Sequence, residues 1–217
     1  MDCSLYLVTD ERLSRGRSQA EIVEAAVRGG VTMVQYRNKS ATTRRMVEEA
    51  GELAALCRAL GVCFIVNDRL DVALAVGADG LHVGQDDMPA ALARSLLGPG
   101  RILGVSAGSL EEARRAALDG ADYVGASPVF STPTKSDAPP PVGLAGLEEL
   151  ARGIAVPVVA IGGINAANAS LALRAGASGL AVVSAIVAAD DVEAAARALR
   201  DTIDTLRGAA AARRGPR

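Results

Sequence analysis

A single-domain (β/α)8 TIM barrel is the fold class this sequence predicts, on three observations. Short aliphatic runs alternate with longer stretches of helical period along all 217 residues. Helices hand over to strands at glycine again and again, in GGVTMV, GADGLHV, GADYVG and GASGLAV. Glycine there supplies a left-handed closing residue that other side chains resist. Finally, 50% of residues are hydrophobic while only 2% are aromatic. The core is therefore built from Ala, Val, Leu and Ile, which suits parallel strands buried on both faces.

The strand expectations are, in order, SLYLVTD (4–10), TMVQYR (32–37), CFIVND (63–68), GLHVG (80–84), RILGVSA (101–107), DYVGASPV (122–129), PVVAIGG (157–163) and GLAVVSA (179–185). Between them run amphipathic helices. Met46, Ala50, Leu53, Cys57 and Leu60 recur at steps of four and three, which places one apolar stripe on a helix. SQAE (18–21) and SLEE (109–112) read as capping boxes, serine accepting from the third amide and glutamate reaching back. Eight such units within about 200 residues describe a compact barrel. An open doubly wound sheet competes, but no G-x-G-x-x-G follows the first strand. The barrel is assigned to residues 1–206, and RGAAAARRGPR (207–217) to a helix end followed by frayed chain.

Composition excludes several function classes. A net charge of −2 gives no attraction to nucleic acid or an anionic membrane. The longest apolar stretches fall short of the roughly 20 residues a span requires, and no basic-then-apolar leader pattern precedes LYLVTD. Cys3, Cys57 and Cys63 follow no ligand spacing and read as reduced thiols of a cytoplasmic protein. No serine or cysteine has an evident histidine partner, and no Walker-type loop occurs. A homo-oligomer stays open.

In a barrel, chemistry gathers at the carboxyl ends of the strands. Strand 2 ends in Gln35, Arg37 and Lys39, two residues apart and so on one face of extended chain; this set suits a polyanion. Strand 3 runs into Asn67-Asp68, and the loop after strand 4 carries Asp86-Asp87. Hard carboxylate oxygens in ones and twos, completed by water and phosphate, are what Mg2+ takes, although either Asp86 or Asp87 also suits capping the helix near Pro89. Strand 5 ends at Ser106. Strand 6 leads into SPVFSTPTKSD, with Ser131, Thr132, Thr134 and Lys135. Gly162-Gly163 after strand 7, and VVSA after strand 8, match the usual barrel site for a phosphate monoester. His82, the single histidine, reads as a structural group within a strand. Among 23 Lys+Arg, only Lys39 and Lys135 are lysines. Both fall at expected phosphate sites, where a compact mobile charge is useful.

QYRNK, NDRLDVAL, ADGLHVGQDD, GVSA, DYVGASPVFSTPTK, VAIGGI and GLAVVSAI, in this order from about residue 5 to 186, resemble the motif set of the thiamine phosphate synthase family. The resemblance implies a (β/α)8 enzyme with two small-molecule substrates, a hydroxymethylpyrimidine diphosphate and a thiazole phosphate, condensed to thiamine phosphate and diphosphate. It implies that Gln35, Arg37, Lys39 and Asn67 hold the pyrimidine diphosphate and that Asp68 and Asp87 bind Mg2+. Ser106 and Lys135 would contact the pyrimidine and its leaving diphosphate. Thr132, Thr134, Gly163, Val183 and Ser184 would seat the thiazole phosphate. Lys135, Lys39 and Arg37 are the residues expected to act in catalysis, through a dissociative substitution. One departure is Ser127, where family members often have glycine in G-x-G-P. Two rivals are a thiazole tautomerase-like paralogue and a non-catalytic barrel that binds thiamine phosphate. Neither needs Lys39, Asn67, Asp68 and Asp87 together.

Overall fold

The computed structural model describes residues 1–132 and 139–214. Eight parallel strands pair in sequence order and close on themselves: β1 (Leu5–Val8), β2 (Met33–Tyr36), β3 (Cys63–Asn67), β4 (Gly80–Val83), β5 (Ile102–Ala107), β6 (Tyr123–Ala126), β7 (Val158–Ile161) and β8 (Gly179–Val182). Each lies inside the run expected for it. The helices are α1 (Gln19–Arg28), α2 (Thr43–Leu60), α3 (Leu70–Ala75), α4 (Ala90–Leu97), α5 (Leu110–Leu118), α6 (Gly143–Gly153), α7 (Ala169–Arg174), α8 (Ser184–Val187) and α9 (Val192–Arg214). Residues 207–214 therefore continue α9 as helix, and 215–217 lie outside the described residues.

Local chemistry sets the helix ends. Ser18 and Glu21 form the expected capping box of α1. The box expected at α5 is only half made: Ser109 accepts from the Glu112 amide at 3.2 Å, but Glu112 takes the Gly108 amide at 2.6 Å instead. Pro89 occupies the N-cap of α4 without a side-chain cap, so neither Asp86 nor Asp87 is used there. Gly30, Gly77, Gly120 and Gly176 all adopt the positive φ expected of the handover glycines. In α2 the buried face comprises Met46, Ala50, Leu53, Ala54 and Cys57. Leu60 departs from the expected stripe: it is the last residue of the helix and is 39% exposed.

Strand side chains alternate between two cores. Leu5, Leu7, Val34, Phe64, Val66, Leu81, Leu103, Val105 and Val124 face the helix ring, each such burial stabilising by about 1.5–3 kcal/mol. Tyr6, Val8, Met33, Ile65, Tyr123, Val159 and Ala181 fill the barrel interior. Large groups fit there because glycines face them. A Cβ on Gly104 would lie 2.1 Å from the Tyr123 ring and 2.5 Å from His82 Nδ1. At the closing seam, β8 pairs with β1 through Leu5↔Leu180 and Tyr6↔Ala181; a Cβ on Gly179 would sit 1.8 Å from the Cys3 carbonyl oxygen.

Candidate active site

The inward phase of β2 begins at Met33 and continues through Gln35 to Arg37 and Lys39, past the strand's carboxyl end. Gln35, Arg37 and Lys39 line the mouth of a cavity of about 1080 Å3, counting space open to solvent. Asn67, Asp68, Asp87, Ser106, Thr132, Gly163, Val183 and Ser184 line the same cavity. Thr134 and Lys135 lie outside the described residues.

The two carboxylates expected to hold metal are neighbours. Asp68 takes the left-handed region (φ 61), and its amide donates to the His82 carbonyl at 2.8 Å, turning the side chain inward. The Asp68 and Asp87 carboxyl groups approach within hydrogen-bonding reach of one another, and Lys39 forms an ion pair with Asp68. Burial, then the Asp87 carboxylate, push the Asp68 pKa above its ordinary value, against the opposing pull of Lys39. Like charges held this close favour a cation between them. The Gly84 amide donates to Asp87 at 2.8 Å and orients it. Asp86 is exposed. Among the described residues no histidine, cysteine or further carboxylate completes a metal cluster, so this pair fits a hard cation that takes its remaining ligands from water and phosphate.

Arg37 is held from behind. Its guanidinium lies 3.4 Å from Asp10, which also accepts from the Arg12 guanidinium at 2.9 Å and 3.2 Å. Burial acts to raise the Asp10 pKa, but the Arg12 hydrogen bonds and the Arg12 and Arg37 charges outweigh it and hold it below the ordinary value. A carboxylate with a depressed folded pKa contributes stability above its unfolded value, about 3.9, and loses it as pH falls through the folded one. Asp10→Asn is therefore expected to lower the thermal midpoint at pH 7, with a deficit that shrinks below about pH 3.9. Thermal melts of both proteins across pH check this; a pH-independent deficit would contradict it.

The opposite side of the mouth is built from backbone. Gly162 and Gly163 both have positive φ, 95° and 65°. A Cβ on Gly162 would meet Pro128 Cβ at 2.4 Å, and one on Gly163 the Ser131 carbonyl at 2.6 Å, so only glycine lets this turn pack against the segment after β6. Asn168 braces it, donating to the Gly163 carbonyl at 2.8 Å. Val183, the N-cap of α8, and Ser184, its first residue, enter from the carboxyl end of β8. Ser127, the departure from the family pattern, also lines the cavity, and the Ser127–Pro128 bond is cis.

Sequence reasoning named Gln35 and Ser106 and read His82 as structural, but missed the two tyrosines that join them across the cavity floor. Gln35 Nε2 donates to Tyr6 Oη at 2.7 Å, and Tyr6 and Tyr123 hydroxyls lie 2.9 Å apart. Tyr123 Oη is 2.9 Å from His82 Nδ1, and His82 Nε2 is 2.9 Å from Ser106 Oγ. His82 thus faces the interior, where burial lowers its pKa to about 4 against a small upward pull from Asp87. Burial raises both tyrosines. The available signal was register: Tyr6 stands opposite Met33, two residues before Gln35 on the same face.

Fold and site together define the class: a (β/α)8-barrel enzyme whose polar side chains converge on one mouth of the barrel, where barrel enzymes carry their chemistry. The model of the thiamine monophosphate synthase family matches residues 5–186. The thiamine-phosphate synthase of Chloroflexus aurantiacus is 62% identical over 200 residues, covering 92% of each chain. That of Syntrophomonas wolfei is 56% identical over 199 residues, covering 92% of this chain and 95% of its own. The solved thiamine phosphate pyrophosphorylase of Pyrococcus furiosus superposes with a TM-score of 0.87 at 44% identity, over 94% of this chain and 97% of that one. The chain belongs to the thiamine monophosphate synthase family. Among the described residues no helix is long and apolar enough to cross a membrane.

Proposed function

We propose that the chain joins hydroxymethylpyrimidine diphosphate to thiazole phosphate, giving thiamine phosphate and diphosphate. The observation that carries this reading is the meeting of Asp68, Asp87 and Lys39 on one side of the mouth, across from the Gly162-Gly163 turn. In the substitution, the bond from the pyrimidine methylene carbon to the diphosphate oxygen breaks, and its electron pair leaves with diphosphate. The aminopyrimidine stabilises the resulting methylene cation, and the thiazole nitrogen lone pair forms the new carbon–nitrogen bond.

Negative charge grows on the leaving diphosphate, and Arg37 and Lys39 oppose it where it appears, together with Lys135 from the segment after β6. Asp68 and Asp87 would hold Mg2+, which supplies further positive charge against the diphosphate. Gln35, Asn67 and Ser106 bind the pyrimidine substrate. Thr132, Thr134, Gly163, Val183 and Ser184 seat the thiazole phosphate. No proton leaves the thiazole nitrogen, so no general base is required. This accords with a neutral His82 whose two ring nitrogens are both engaged. A cytoplasmic setting accords with the three unpaired cysteines.

Mg2+-dependent release of diphosphate from the paired substrates tests the reading; a tautomerase or a binding barrel releases none. Lys135→Ala is expected to lower turnover about 100-fold while thiazole phosphate binding changes little. Wild-type turnover in that variant would remove Lys135 from the mechanism.

A further inference from the structure

The buried chain Gln35–Tyr6–Tyr123–His82–Ser106 crosses the barrel interior, and all five side chains line the cavity. With the Gln35 amide placed so that Nε2 faces Tyr6, the chain's hydrogen bonds can all run in one sense. A Gln35 Nε2–H can only donate, so Tyr6 Oη accepts from it and turns its own O–H to Tyr123. Tyr123 then turns its O–H to His82 Nδ1, which accepts. In that sense the proton of the neutral ring would lie on Nε2 and be donated to Ser106 Oγ, 2.9 Å away. At the two ends this leaves the Gln35 carbonyl as an acceptor and the Ser106 O–H as a donor.

We propose that this chain is a directional relay in which Tyr6, Tyr123 and His82 are positioning residues, fixing Gln35 as acceptor and Ser106 as donor so that the site selects an amino- over an oxopyrimidine. An aminopyrimidine offers an exocyclic N–H donor and ring-nitrogen acceptors, which complement those two ends. The oxo counterpart offers a carbonyl acceptor beside a ring N–H and so presents the opposite polarity. Buried polar groups left unpaired by the wrong partner are what make such selection strong. The selectivity rests on the function proposed above; the sense of the relay does not.

His82 is the only histidine in the chain, so a [15N]histidine-labelled protein yields one pair of imidazole signals. Wild type is expected to show the Nε2–H tautomer. Gln35→Glu places an acceptor-only carboxylate against Tyr6, reverses each bond in turn, and is expected to move the proton to Nδ1. An Nδ1–H tautomer in wild type, or an unchanged tautomer in Gln35→Glu, overturns the relay.

A second arm measures calorimetric dissociation constants for hydroxymethylpyrimidine diphosphate and its 4-oxo counterpart. Tyr123→Phe is expected to reduce the preference for the amino form roughly ten-fold, with the thiazole phosphate constant unchanged. Tyr6→Phe, which breaks a different link, is expected to do the same. Equal weakening of all three ligands assigns the tyrosines a merely structural role and overturns their positioning role. Failure of wild type to release diphosphate from the substrate pair sinks the proposed function, whereas the tautomer result still decides the sense of the relay.

Discussion

Asp87→Ala is expected to reduce kcat/KM by about 10²–10³-fold and to abolish the dependence of the remaining rate on Mg2+. The Asp87 carboxyl group lies against Asp68, whose pKa is raised by burial and then by this neighbour. Removing one of the two anions leaves Asp68 paired with Lys39 alone, a neutral pair with little attraction for a divalent cation. The same loss of like-charge repulsion protects the fold, so the thermal midpoint is expected to hold or rise. A Mg2+ titration of turnover, with a melt beside it, separates these effects. A variant that keeps the wild-type half-saturation for Mg2+ would show that the carboxylate pair is not the metal site.

Gly179→Ala is expected to destabilise the protein by about 3 kcal/mol or more, the upper part of the range for overpacking. The added Cβ meets the Cys3 carbonyl oxygen at 1.8 Å and its carbon at 2.7 Å. These are backbone atoms, so no side-chain rotation relieves the contact. The clash falls where β8 joins β1 and acts on ring closure rather than on one layer of packing. Urea unfolding of both proteins measures it. A shift below about 0.5 kcal/mol, the level of an ordinary surface substitution, would mean that the seam can open to admit a methyl group.

The barrel was legible because its signals are local. Aliphatic runs of four to six residues, helical stripes and glycine stops act over a few residues, and they placed all eight strands. They failed where a local pattern had two outcomes: Glu112 satisfies Gly108 rather than completing its box, and Leu60 extends the periodicity of α2 without its burial. The rim residues were found because polar side chains ending buried strands stand out. The barrel put them on one rim and the motif resemblance paired Asp68 with Asp87; the ion pair of Lys39 with Asp68 was not legible, since it forms only through the folding of β2 and β3. The two floor tyrosines escaped notice for the opposite reason. In strands buried on both faces, Tyr6 and Tyr123 read as core filling, and only the pairing register shows which core they fill.

The seam has a consequence for how the chain is made. Within the barrel β1 is made before every other strand, yet one of its two neighbours is β8, made after them all, so Leu5, Tyr6 and Leu7 gain their partners on that side only when Leu180, Ala181 and Val182 arrive. Throughout translation of the intervening units a nascent sheet carries open hydrogen-bonding edges, the geometry that recruits strands from other chains. A truncated product lacking β8 would keep the edges of β1 and β7 open and is expected to aggregate more readily than the closed barrel.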